Sequence, residues 1–145
     1  MAFDPLLVLK GEIKIGATSG TATSYKAEVT SVVLKKSRDT VEIPATLGTG
    51  RKDRKAGAVM NEITINVIGD VQATSLWAAL WAAMDTDSGE QYFECLLKDG
   101  AVSATNPKFS GQMVVTEASI GAASGTLSQF SVTMPINGDI TKAIV

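Results

Sequence analysis

A chain of 145 residues fits one domain, taken here as 1–145, because a chain of this size can bury roughly 70% of its unfolded surface without covalent staples. A hydrophobic share of 45% with thirteen glycines and few aromatic residues excludes disorder throughout and suits a β-rich protein with many turns. The net charge of −2 hides an asymmetry, since residues 1–55 hold ten Lys/Arg against six Asp/Glu and residues 56–145 three against nine, giving +4 and −6.

Residues 1–10 form an N-terminal arm, apolar enough to dock but interrupted by Pro5. With Asp4, Pro5 and a run of only four apolar residues, the start MAFDPLLVLKGE does not read as a secretory leader, so folding in the cytoplasm is expected. Glu12 to Ile15 alternates as a short strand, and a stretch of small polar residues follows. Tyr25 to Leu34 reads as a long strand rich in Val and Thr, and TVEI as another that ends at Pro44. Residues 46–60, TLGTGRKDRKAGAVM, show no apolar period and read as a long loop, a kind of segment that is usually functional or disordered.

Strict alternation resumes at Glu62 to Ile68, with Ile63, Ile65 and Val67 on one face and Glu62, Thr64 and Asn66 on the other. Between Thr74 and Met84 the period becomes helical: Leu76, Trp77, Leu80, Trp81 and Met84 share one stripe, and Thr74 or Ser75 can cap its start. The simplest role for Leu76, Trp77, Leu80 and Trp81 is to pack this helix on a sheet. Far shorter than the roughly 20 residues a bilayer crossing needs, it predicts no membrane span.

Gln91 to Lys98 is the next strand, and a loop through Asn106-Pro107 leads to a closing pair of strands between Gly111 and Gly138. In the second of these, Phe130, Val132 and Met134 alternate with Gln129, Ser131 and Thr133, the pattern of a half-buried strand. Residues 137–145 read as a C-terminal arm. The fold class predicted is mainly β: a β-sandwich or small barrel with one flanking α-helix, a long interstrand loop and extended terminal arms.

Little in the chain supports catalysis. Without histidine it lacks the usual general base near neutral pH, and GTGRKDRKAG lacks the spacing of a phosphate-binding loop. Cys95, the only cysteine, excludes an intrachain disulfide or multi-cysteine metal site and reads as a buried small hydrophobe. Asp85, Asp87 and Glu90 make half a calcium loop without its later ligands, so they read as a solvated turn. No catalytic residue, metal or cofactor is assigned. The basic run Arg51, Lys52, Arg54 and Lys55 admits three readings: a protein-docking loop, a solvated mobile loop, or a nucleic-acid contact. The last is disfavoured by the acidic pI and the lack of an adjoining aromatic residue on which a base could stack.

A short N-terminal arm, the Pro-ended strand and charged loop EIPATLGTGRKDRKAG, a helix with an apolar face, and the closing segment GQMVVTEASIGAASGTLSQFSVTMPING together resemble the major tail tube proteins of long-tailed bacteriophages. The resemblance spans nearly the whole chain and is one of layout. It implies a structural virion protein of the tail, assembled in the host cytoplasm, whose hexameric rings stack into a hollow tube for genome delivery. It further implies that residues 46–60 reach an adjacent ring, where Arg51, Lys52, Arg54 and Lys55 meet acidic side chains. Its implied partners are other copies of itself, the tape measure, tail terminator and distal tail proteins, and DNA passing transiently through the lumen.

A lumen through which DNA slides should carry neutral or acidic side chains, because concentrated cations bind phosphates tightly. Glu28, Thr30, Gln112 and Thr116 are the expected lumen-facing residues. Two alternatives to the phage tube are an inner-tube protein of a contractile injection or secretion machine and a β-sandwich binding module; the module would display exposed aromatic residues, so burial of Trp77 and Trp81 would count against it.

Overall fold

The computed structural model describes residues 3, 5–7 and 10–145. The N-terminal arm therefore falls partly outside the described residues; Phe3, Leu6 and Leu7 within it are exposed. Seven strands follow in the order β1 (Glu12–Gly16), β2 (Thr23–Ser24), β3 (Val29–Ile43), β4 (Asp53–Ile68), β5 (Glu90–Leu96), β6 (Lys108–Val114) and β7 (Gln129–Ala143), with α1 (Leu76–Ala83) between β4 and β5. They form one antiparallel sheet ordered β2-β1-β5-β6-β7-β4-β3.

Side chains at every second position supply a single core: Ile13 and Ile15 from β1, Ile63, Ile65 and Val67 from β4, Phe93 and Cys95 from β5, Met113 from β6, and Val132, Met134 and Ile136 from β7. Val29 and Val32, at the start of β3, pack against this same core, and the Tyr25 N–H donates to the Ile13 carbonyl at 2.9 Å. The sheet thus curls until its two ends face each other. This is the sandwich-like, mainly β fold with a flanking helix that the sequence predicts.

β7 holds the curl together by serving two neighbours. Its first half pairs with β4 from Ile68↔Gln129 to Asn61↔Ile136, and its second half with β6 from Met113↔Ile136 to Lys108↔Ala143. The change of partner falls at Ile136 to Gly138, where Gly138 takes φ +80°, a conformation that L side chains rarely adopt. Asn61 pins this corner by donating from Nδ2 to the Gly138 carbonyl at 2.8 Å.

Several expected boundaries change. TVEI is not a separate strand; it is the distal end of β3. The expected loop 46–60 is shorter, because β4 already begins at Asp53 and pairs in register back to Ile43. The C-terminal arm 137–145 is largely strand, continuing β7 to Ala143 where its backbone groups find partners on β6. The closing hairpin is no tight one either: residues 115–128 form a long excursion between β6 and β7, because Met113 faces Ile136 and the first half of β7 belongs to β4.

Helix α1 is capped by Ser75, whose Oγ accepts the Ala78 N–H at 3.1 Å. A second cap comes from far along the chain: Glu28 Oε1 accepts the Leu76 N–H at 3.1 Å. A carboxylate at a helix N-terminus is favoured by the unpaired N–H groups and the helix dipole. Leu76, Leu80 and Ala83 enter the core.

Candidate assembly surfaces

Three surfaces stand out because the fold leaves them without partners. The first is the outward face of β3, β4, β7 and β6. The register sets Ser31 beside Asn66 and Asn66 beside Ser131, Thr64 beside Thr133, and Gln112 beside Asn137. The hydroxyls of Thr64 and Thr133 lie 2.8 Å apart, and Asn66 Nδ2 donates to Ser31 Oγ at 3.0 Å. The result is a face of hydroxyls and amides, with one cross-strand pair of opposite charges, Lys35 beside Glu62, further along β3 and β4. Toward β5 and β1, Lys108 of β6 and Lys14 of β1 are balanced by Glu94 of β5, at 3.4 Å and 4.0 Å.

The four residues expected to face a lumen are not brought together. Gln112 is exposed on this outward face. Glu28 lies in the turn before β3 and caps α1, so its carboxylate is held at the helix terminus. Thr30 is the unpaired residue of a bulge between Val29 and Ser31 and lines a cavity of about 490 Å³ at the seam between β3 and the β1–β5 pair. Thr116 lies beyond the end of β6 in the 115–128 excursion. The bulge shifts the register by one residue, so that Ser31 and not Thr30 falls on the outward face beside Asn66. The alternation of Thr64 and Asn66 and of Ser131 and Thr133 in the sequence is the signal for the other residues of this outward face.

The second surface is a ribbon. Residues 53–60 of β4 pair with β3 alone, and every residue from 38 to 56 is exposed. It extends β3 and β4 past the rest of the sheet, with no third strand beside it among the described residues. It carries the basic run, partly balanced within itself: Lys52 lies 3.3 Å from Glu42, Arg51 lies 3.4 Å from Asp53, and Arg54 Nη1 donates to Thr40 Oγ1 at 3.3 Å. Val41, Ile43 and Leu47 are exposed among these charges.

The third surface is the outer side of α1. Leu76 and Leu80 pack as expected, but Trp81 is 49% exposed and Trp77 only half-buried, a correction to the packed stripe of four. The physical reason is angular. An eight-residue helix seats one narrow row, here Leu76, Leu80 and Ala83, and side chains one position further on are rotated by about 100° out of it. The two indoles rest on each other instead, with centroids 5.2 Å apart, and Trp77 Nε1 is shielded without a hydrogen-bond acceptor.

Elsewhere the chemistry is quiet. Burial pushes the Cys95 thiol up to about 12, which keeps it protonated and inert. No group of acidic, cysteine or histidine side chains that could hold a metal occurs among the described residues, and no helix there is long and apolar enough to cross a membrane.

No family model matches the chain, and no curated protein matches it either. Solved structures do share its fold. A chain in the tail of an empty gene transfer agent particle, determined by helical refinement with C6 symmetry, superposes with a TM-score of 0.63 at 14% identity, over 91% of this chain and 94% of that one. A chain of the virion of a native gene transfer agent particle gives 0.62 at 12% identity over 90% and 95%. A chain of the sheath–tube complex of an extracellular contractile injection system in its extended state gives 0.58 at 13% identity over 97% and 93%.

Proposed function

We propose that this protein is a structural tail tube subunit, which forms six-membered rings that stack head to tail into a hollow conduit for DNA. The observation that carries the reading is the end-to-end likeness to a tail chain with C6 helical symmetry, covering nine-tenths of both chains. At this level of identity the likeness establishes the fold; the surfaces supply the argument for function.

In this reading the hydroxyl and amide face of β6, β7, β4 and β3 lines the lumen through Ser31, Thr64, Asn66, Gln112, Ser131 and Thr133, with Lys35 offset by Glu62 beside it. Hydroxyls and amides can solvate a passing phosphate backbone without the counterion-releasing attraction of clustered cations, so DNA slides. The ribbon bridges to the adjoining ring, its Arg51, Lys52, Arg54 and Lys55 facing acidic side chains there. Such a contact joins unlike surfaces and therefore propagates. Tape measure, terminator and distal tail proteins would meet the tube inside and at its ends, in the virion tail.

An inner tube of a contractile injection system is the second reading, favoured by the superposition on the sheath–tube chain. A surrounding sheath distinguishes it. A β-sandwich binding module would also use an exposed tryptophan pair, but it gives no role to a long unpaired ribbon. The test is sedimentation of the purified chain over a wide concentration range, with and without tail initiator proteins. Ring- or tube-sized species are expected; a monomer under every condition rejects the reading.

A further inference from the structure

Helix α1, LWAALWAA, has no polar residue on any side. Helices apolar all round are ordinarily buried all round, yet Trp81 and Met84 are open to solvent here, with Trp77 half-covered beside them. Residues 70–90, which contain the helix, hold four acids and no base, and Asp70, Asp85 and Asp87 make no ion pair among the described residues.

The ribbon is the converse. Val41 and Ile43 are 58% and 44% exposed and Leu47 is wholly so, while residues 38–55 hold five bases against three acids. Cross-strand pairing sets Lys55 opposite Val41 and Asp53 opposite Ile43, with Arg54 opposite Glu42 on the other face, so one cation and one acid border the apolar pair and the surplus of bases belongs to the ribbon as a whole. One apolar surface sits in an acidic segment, and the other in a segment with a net surplus of bases.

They also lie at opposite ends of the molecule. Glu28, just before β3, caps α1, whereas the ribbon tip lies at the far end of β3, fifteen strand residues and so about 45 Å away. A chain cannot close such a contact on itself; copies in a row can.

We propose that the ribbon tip of one copy covers the Trp77–Trp81–Met84 face of a second copy, with Val41, Ile43 and Leu47 as its apolar anchors. This rests on the tube reading and alters the chemistry of its inter-ring contact. Arg51, Lys52, Arg54 and Lys55 steer and orient the approach, and desolvation of the aliphatic and indole side chains supplies the affinity. The contact is heterologous and polar along the β3–β4 axis, which gives the filament its direction.

The chain's two tryptophans both lie on this face, so intrinsic fluorescence reports on it alone. Wild-type protein should show a blue shift of tryptophan emission in step with assembly. Val41→Ser with Ile43→Ser should raise the critical concentration for assembly by about tenfold or more, with an unchanged monomer melt because both sites are exposed. Oxidising Ile43→Cys together with Met84→Cys, or Leu47→Cys together with Met84→Cys, should give a ladder of covalent multimers, to which the buried Cys95 does not contribute. Tubes with unshifted emission overturn the proposal, because the face stays wet. A blue shift with a critical concentration within twofold of wild type, or with no ladder from either cysteine pair, shows that something other than the ribbon covers the face and overturns it too. Wild-type protein that forms no tubes rejects the underlying tube reading instead.

Discussion

Leu80 is fully enclosed by the core while Trp81, one residue on, is half in solvent, so equal truncations should have unequal costs. Leu80→Ala should lose about 2–5 kcal/mol of a total of about 5–15, leaving little folded protein. Trp81→Ala gives up one stacked contact and should cost about 1 kcal/mol in chemical denaturation of the monomer. A severe loss at Trp81 would restore the packed-stripe reading that the sequence first invites. Cys95 makes a second test at this scale. With its thiol pushed up to about 12, it should resist alkylation at pH 8 in the folded state and react once unfolded. The sign for stability follows. Above a pH of about 9 the unfolded chain releases this proton and the folded chain does not, so stability falls with rising pH until about 12.

Among the elements, those with one buried face were legible and those with none were not. The alternation of Glu62 to Ile68 marks the part of β4 whose Ile63, Ile65 and Val67 reach the core. The preceding DRKAGAVM belongs to the same strand but is solvated on both faces, so no period-two pattern is written there and it reads as loop. The helix was read within two residues of its ends because its capping serine and apolar spacing are local. Its exposed face was not, since a stripe of large apolar residues looks the same whether covered by its own sheet or left for a neighbour. Of the four residues expected to share one face, Thr30 and Glu28 are drawn away from it by a bulge and a distant cap, both tertiary features without a local mark. The ribbon carries its own prediction. Reversing Arg51, Lys52, Arg54 and Lys55 together should leave the monomer melt nearly unchanged, since exposed ion pairs contribute about 0–1 kcal/mol each. The same change should slow tube growth severely, and salt should slow the wild type in the same direction. Growth at the normal rate would remove these cations from the interface.

For the whole molecule, the sheet separates three surfaces by position: a hydroxyl- and amide-rich face across its width, a projecting ribbon at one end of its longest strands, and an uncovered helix at the other. In the proposed tube a stacked ring uses all three. Helical reconstruction of tubes grown from the purified chain tests this most directly, because it shows which face lines the bore and what covers the helix. The account predicts six subunits per ring, Ser31, Thr64, Asn66, Gln112, Ser131 and Thr133 on the inner wall, and ribbons crossing between rings. Tubes with this face on the outer wall, or a chain that stays monomeric wherever it is soluble, would contradict it.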